Sequence, residues 1–170
     1  MSKTAISPKQ KVSVGMLSLG CPKTLVDSEL VLGQLDPKRY RMANHVTDCD
    51  IAFLNTCAFI EDSKRESIDR ILELIELKKE GHIKALVVLG CLVQRYPDEL
   101  SKQLKEVDVF LGTGEYAKIQ EVTNGLSEQL GLCHPFVTEY SGPQNGLKDG
   151  QMKLNHGMEL HSQLRESRTI

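Results

Sequence analysis

Apolar residues in this chain gather in short runs separated by longer stretches of mixed polarity. Four runs, KVSVGMLSLG from Lys11, CDIAFLNT from Cys49, KALVVLG from Lys84 and VDVFLGTG from Val107, are rich in Val, Ile, Leu and Phe and bounded by Gly, Asp or Thr. Near-continuous runs of this kind fit strands covered on both faces, as in a parallel sheet; half-exposed strands alternate instead. The stretches between them carry helical periodicity. From Glu61 to Lys79, Ile68, Ile71, Leu72 and Ile75 fall at i, i+3, i+4 and i+7. Ser63 and Glu66 have the spacing of a capping box there, and Gly81 is placed to end the helix. A second helix is predicted from Lys23 to Leu35, with Val26, Leu30 and Val31 as apolar positions, Thr24 and Asp27 at its start and Pro37 beyond its end. A third begins near Pro97 with Leu100, Leu104 and Val107 on one face, and a fourth near Glu115, after the turn at Gly112, Thr113 and Gly114. Tyr40 to Val46 is a candidate edge strand.

Strand and helix alternate from Lys11 to about Val122, which predicts an α/β domain with an open parallel sheet, flavodoxin-like, with helices on both faces. Residues 11–123 form this domain, and residues 1–10 read as a flexible N-terminus. From Asn124 to Ile170 the alternation stops, and Gly, Ser, Gln, Asn and His separate isolated apolar residues. Residues 124–170 are therefore expected to be a poorly ordered tail. A chain of 170 residues with 40% hydrophobic content suits one domain with a full core.

Charge narrows the partners. Lys plus Arg is 21 against 23 for Asp plus Glu, a formal charge of -2, so no overall basic excess advertises nucleic acid or an anionic membrane. Trp is absent and aromatics are 5%, a poor supply of stacking platforms for single-stranded nucleic acid. The opening MSKTAISPKQKVSVG has no apolar core of signal-peptide length. The longest apolar stretch, ALVVLGCLV from Ala85 to Val93, is about half of the ~20 residues a membrane-spanning helix needs. A cytoplasmic protein without a membrane partner is expected.

The five cysteines, Cys21, Cys49, Cys57, Cys91 and Cys133, carry the candidate chemistry. Cys21, Cys57 and Cys91 each follow a predicted strand. In an open parallel sheet the carboxyl ends of the strands share one edge, where ligands bind, so thiols distant in sequence would converge. The helices that follow present free N–H groups and a positive dipole end, which lower a cysteine pKa. Three convergent thiolates can hold an iron–sulfur cluster or zinc with one coordination place open. The competing reading is plain burial, since free Cys is among the most buried residue types. Cys49 and Cys133 lack the strand-end pattern and are read as structural, although His134 stands beside Cys133. The GTGE stretch from Gly112 lacks the third Gly of a phosphate-binding fingerprint and reads as a plain turn. Lys64, Arg65, Lys78 and Lys79 read as a solvated helix face, and His156 and His161 have no assigned role.

SLGCPKTLVDSE, LNTCAFIEDSKRESI, VVLGCLVQRY and VDVFLGTGEY together resemble the N-terminal domain of the methylthiotransferase family over residues 11 to 122. The GCPK form after the first strand, in place of the GCQMN form of the tRNA-modifying branch, resembles the RimO-type branch, which modifies an aspartate of the small-subunit ribosomal protein numbered twelve. The resemblance implies that Cys21, Cys57 and Cys91 ligate an auxiliary [4Fe-4S] cluster with one iron left open, which takes part in delivering sulfur. It also implies that S-adenosylmethionine and a second [4Fe-4S] cluster act in a radical-SAM domain of a full-length member. Two departures stand out. Thr24 occupies a position where the family usually has Asn, and no CxxxCxxC triplet follows Cys91. This chain alone is expected not to complete methylthiolation, as a truncated or alternatively ended product. The alternatives are a tRNA-type methylthiotransferase domain, a flavodoxin-like binding module with buried cysteines, and a structural zinc site.

Overall fold

A computed structural model of the protein describes residues 11–132. Five strands run β1 (Val12–Ser18), β2 (Tyr40–Met42), β3 (Cys49–Thr56), β4 (Ile83–Gly90) and β5 (Val109–Leu111). Five α-helices are α1 (Pro22–Gly33), α2 (Glu61–Lys79), α3 (Cys91–Arg95), α4 (Pro97–Gln103) and α5 (Ile119–Gln129), with a 3-10 helix at Thr113–Lys118. The strands form one sheet in the order β2-β1-β3-β4-β5, and every pairing is parallel. This is the flavodoxin-like order, within the open parallel α/β sheet that the alternating pattern predicts.

Period-two alternation along the central strands divides the core in two. Ala52, Leu54, Leu86 and Val88 pack with Ile71, Leu74 and Ile75 of α2, Leu92 of α3 and Leu100 of α4. Ile51, Phe53, Ala85, Val87 and Leu89 pack on the opposite face with Val31 of α1 and Ile119 and Leu126 of α5. Helices therefore cover both faces, which is why β3 and β4 read as unbroken apolar runs.

Several local expectations change. Helix α2 is capped by Ile60 in extended backbone without a side-chain cap, so Ser63 and Glu66 make no capping box. Its end is as expected. The Gly81 N–H donates to Lys78 O at 3.1 Å and the His82 N–H to Leu77 O at 2.9 Å, the paired bonds of a Schellman closure. Helix α1 starts at Pro22, with Cys21 as its N-cap. Its buried face is Thr24, Ser28 and Val31, while Val26 and Leu30 are exposed. Apolar periodicity found Val31 but otherwise pointed to the outer face, because the rest of the inner face bonds through the hydroxyls of Thr24 and Ser28. The edge strand is only Tyr40–Met42, and the fourth helix is split into a 3-10 turn and α5.

Lys78 is not a solvated lysine. Its ammonium donates to Glu106 O and to Asp108, whose Oδ2 also accepts the Leu86 N–H at 2.7 Å, tying α2 to β4 and the turn before β5. Ordered structure also continues past residue 123: α5 runs to Gln129, with Leu126 buried. The expected flexible N-terminus and the rest of the expected tail lie outside the described residues, as do Cys133, His134, His156 and His161.

Candidate metal centre at the carboxyl edge of the sheet

Parallel pairing brings the ends of β1, β3 and β4 level. Ser18 is in register with Asn55, and Thr56 with Gly90. Cys57 and Cys91 are the first residues after β3 and β4, and Cys21 lies just past β1 at the N-cap of α1. The chain crosses to β2 on one side after β1 and to β4 on the other after β3. The β1–β3 junction is thus the topological switch point, where open α/β sheets bind ligands.

Two glycines set how closely these segments approach. Gly20 has φ +93, and a Cβ there would lie 2.4 Å from Cys57 Cβ and 2.7 Å from Cys57 Sγ. Gly90 has φ +110, and its Cβ would meet Thr56 O at 2.4 Å and Asn55 Oδ1 at 2.5 Å. Both positions need an absent side chain and a backbone conformation that L residues rarely adopt. The Gly20 turn that leads into Cys21 therefore lies against Cys57, and the Gly90 turn that leads into Cys91 lies against the Thr56 backbone.

Hydroxyls and one amide hold the two loops that carry Cys21 and Cys57. Thr24 Oγ1 donates toward Cys21 O (2.6 Å) and Leu19 O (2.8 Å), closing the turn around Cys21. Asn55 Nδ2 donates to Thr24 O and Ser28 Oγ, both at 3.0 Å, fastening α1 to the end of β3. Ser67 Oγ accepts the Cys57 N–H at 3.2 Å and donates to Cys57 O at 3.0 Å, so α2 clasps Cys57 by its backbone. Thr at position 24 thus supplies bonds within its own turn. Sequence reasoning overlooked Ser28, Asn55 and Ser67. A buried polar residue inside the apolar run IAFLNT was the available sign of Asn55, while Ser67 shows only once α2 packs.

The thiols differ in environment. Cys21 is exposed, Cys57 buried and Cys91 between the two. Backbone N–H groups of Thr24 and Lys23 at the start of α1 hold the Cys21 thiol below the usual cysteine range, and the Lys23 charge adds to this. Lys23 is itself raised, first by Asp27, whose Oδ2 lies 2.8 Å away, and further by the charges of Cys91 and Cys21. The Tyr116 hydroxyl is pushed up by burial and by the negative charges of Asp27 and Cys91, so it keeps its proton. Its oxygen, like Asn55 Oδ1, is buried with no hydrogen-bond partner among the described residues.

Cys49 is structural, as expected: it opens β3 at the opposite end of the strand, donates to Val46 O at 3.2 Å and is pushed up to about 11 by burial. The GTGE stretch opens the 3-10 helix, with Gly112 at its N-cap and Glu115 Oε2 accepting the Gly112 N–H at 3.1 Å. Among the described residues, no three His, Cys, Asp or Glu side chains are gathered tightly enough for one metal ion. A multi-iron cluster asks for a wider arrangement, because its cysteines bind different irons. Three thiols, one biased toward thiolate, suit that donor set. Also among the described residues, no helix is long and apolar enough to cross a membrane.

Residues 13–112 match the model of a family described as "Uncharacterized protein family UPF0004". The chain is 45% identical over 148 residues to a protein of Geobacter sulfurreducens named ribosomal protein uS12 methylthiotransferase RimO, covering 86% of this chain and 32% of the relative. The protein of the same name from Geotalea uraniireducens is 46% identical, covering 84% of this chain and 30% of the relative. The one from Myxococcus xanthus is 53% identical over 110 residues, covering 65% of this chain and 23% of the relative. The chain thus spans about a third or less of the length of these curated relatives.

Proposed function

The chain belongs to the uncharacterized protein family UPF0004, and from that premise we propose that it is the auxiliary [4Fe-4S] cluster-binding, sulfur-donor module of a radical-SAM methylthiotransferase. The substrate in this reading is an aspartate of a small-subunit ribosomal protein, in the cytoplasm. The observation that carries the reading is the position of Cys21, Cys57 and Cys91 after three adjacent parallel strands, astride the switch point. The relatives named as uS12 methylthiotransferases support the ribosomal-protein branch over the tRNA branch. In this reading S-adenosylmethionine and a second cluster serve the parts of the full-length relatives that the chain does not span.

In this reading Cys21, Cys57 and Cys91 hold the cluster, which when bound supplies sulfur for transfer. The chain's own groups prepare the site. N–H groups at the start of α1 favour the Cys21 thiolate, and Ser67 holds the backbone of Cys57. Lys23, tethered by Asp27, places positive charge near Cys21.

The test is anaerobic reconstitution with iron and sulfide, read by Mössbauer and visible spectra, beside a Cys21, Cys57, Cys91 triple-Ala control. A [4Fe-4S] signal lost in the control is expected. The burial of Cys57 favours a second reading, a flavodoxin-like binding module whose cysteines are apolar filling. A colourless wild-type protein indifferent to iron would select it.

A further inference from the structure

Cys91, the third thiol at this edge, opens α3, a helix of five residues. So short a helix has little rigidity of its own, and its orientation depends on what its side chains reach. Leu92 and Val93 are buried in the same core cluster as Ala58, and Cys91 packs against that cluster. The segments that follow β3 and β4 thus pack together on one face of the sheet.

Arg95 joins these two segments. It lies one turn past Cys91 on the same side of α3, because residues at i and i+4 stand one above the other on a helix. Its Nη1 donates to Ala58 O at 2.7 Å, the carbonyl of the residue next after Cys57. A short bond from a charged donor is the stronger kind, and Ala58 is buried. Ser67 of α2 already holds both backbone groups of Cys57. The Cys57 segment is therefore held by α2 at one residue and by α3 at the next. Arg95 is exposed, and no carboxylate pairs with it among the described residues. An uncompensated cation thus stands bonded beside Cys57 on the helix that Cys91 begins.

We propose that Arg95 is a positioning residue of the sulfur site: its guanidinium ties the Cys57 segment to the helix of Cys91, fixing the spacing of two of the three thiols, and places positive charge beside them. The proposal rests on the cluster reading above. A cluster gains negative charge on reduction, so a fixed cation nearby favours the reduced state and raises the reduction potential.

The test compares Arg95→Met with Gln94→Met in the full chain, each reconstituted with iron and sulfide without oxygen. Both residues are exposed and both fasten α3, but Gln94 Oε1 meets the Thr113 hydroxyl and the Gly114 N–H, each at 3.4 Å, in the segment after β5. Arg95→Met should lose its cluster to an iron chelator about 10–100-fold faster than the wild type, the range for a removed outer-shell partner, and its reduction potential should be more negative. Gln94→Met should match the wild type in both. Arg95→Lys, which keeps the charge and a donor, should recover most of the potential. Thermal unfolding of the iron-free proteins checks that the variants are folded, and Arg95→Gln is read in place of Arg95→Met if the latter is not. A wild-type release rate or potential in Arg95→Met, a release from Gln94→Met as fast as from Arg95→Met, or an Arg95→Lys potential as negative as that of Arg95→Met overturns the proposal. A wild type that takes up no cluster overturns the cluster reading and this proposal with it, so the wild-type spectrum tells the two failures apart.

Discussion

Replacing Gly90 by Ala tests how the edge is assembled. Gly90 has φ 110 and ψ -163, a region essentially confined to Gly, where another residue costs about 1–3 kcal/mol. The added Cβ would also meet Thr56 O at 2.4 Å and Thr56 N at 2.9 Å. Those atoms are backbone of the central strand β3, paired to β1 and β4, so they cannot swing aside as a side-chain tip would. Overpacking of that kind adds about 1–3 kcal/mol. The sum, about 2–6 kcal/mol, is a large share of the ~5–15 kcal/mol that stabilises a typical domain. Gly81→Ala is the internal control. Its φ is +87, but nothing lies within 4 Å of the new Cβ, so only a left-handed cost of about 1–2 kcal/mol applies. Urea unfolding followed by far-UV circular dichroism should give a much lower midpoint for Gly90→Ala than for Gly81→Ala, with similar slopes. Equal midpoints would refute the claim that close backbone approach at the end of β4 holds Cys91 in place.

Two further outcomes follow from the electrostatics. In native protein without iron, iodoacetamide followed by mass spectrometry should modify Cys21 first, with its rate levelling off at a pH below the 9.0 of an ordinary thiol, because the thiolate is the nucleophile; Cys49, buried and pushed up to about 11, should stay unmodified until unfolding, and the reverse order would sink the assignment. Burial would raise the Asp50 carboxyl, but the Lys84 ammonium at 2.7 Å and the Ser13 hydroxyl and N–H at 2.6 and 2.8 Å outweigh it and hold it below the ordinary 3.8. A depressed folded-state pKa contributes stability above the unfolded value that is lost as pH falls through the folded value, so Asp50→Asn should flatten the acid limb of the unfolding profile below about pH 4 and leave its alkaline limb unchanged.

Sheet, helices and the candidate thiols were legible because they depend on short-range pattern. The runs CDIAFLNT and KALVVLG announce two-sided burial through their composition, and the cysteines announce themselves by following those runs. Where partners come from elsewhere in the chain, pattern misled or was silent. Val26 and Leu30 carry the apolar rhythm of α1, yet Thr24 and Ser28 are buried, because Asn55 from β3 meets them with hydrogen bonds. Ser63 and Glu66 have capping-box spacing, yet α2 opens two residues earlier, at Glu61.

The sequence by itself determined an alternating α/β domain and the three strand-end thiols, since side-chain periodicity and the local turn at each strand end are properties of neighbouring residues. Tertiary structure alone decided the strand order that sets β1 and β4 on either side of β3, and with it the placing of Cys21, Cys57 and Cys91 after neighbouring strands. It also decided the Ser67 clasp, the pairing of Lys78 with Asp108 and the unpartnered hydroxyl of Tyr116. The physical reason is that hydrogen bonding and desolvation depend on which groups face each other across the packed sheet, and that juxtaposition links residues tens of positions apart.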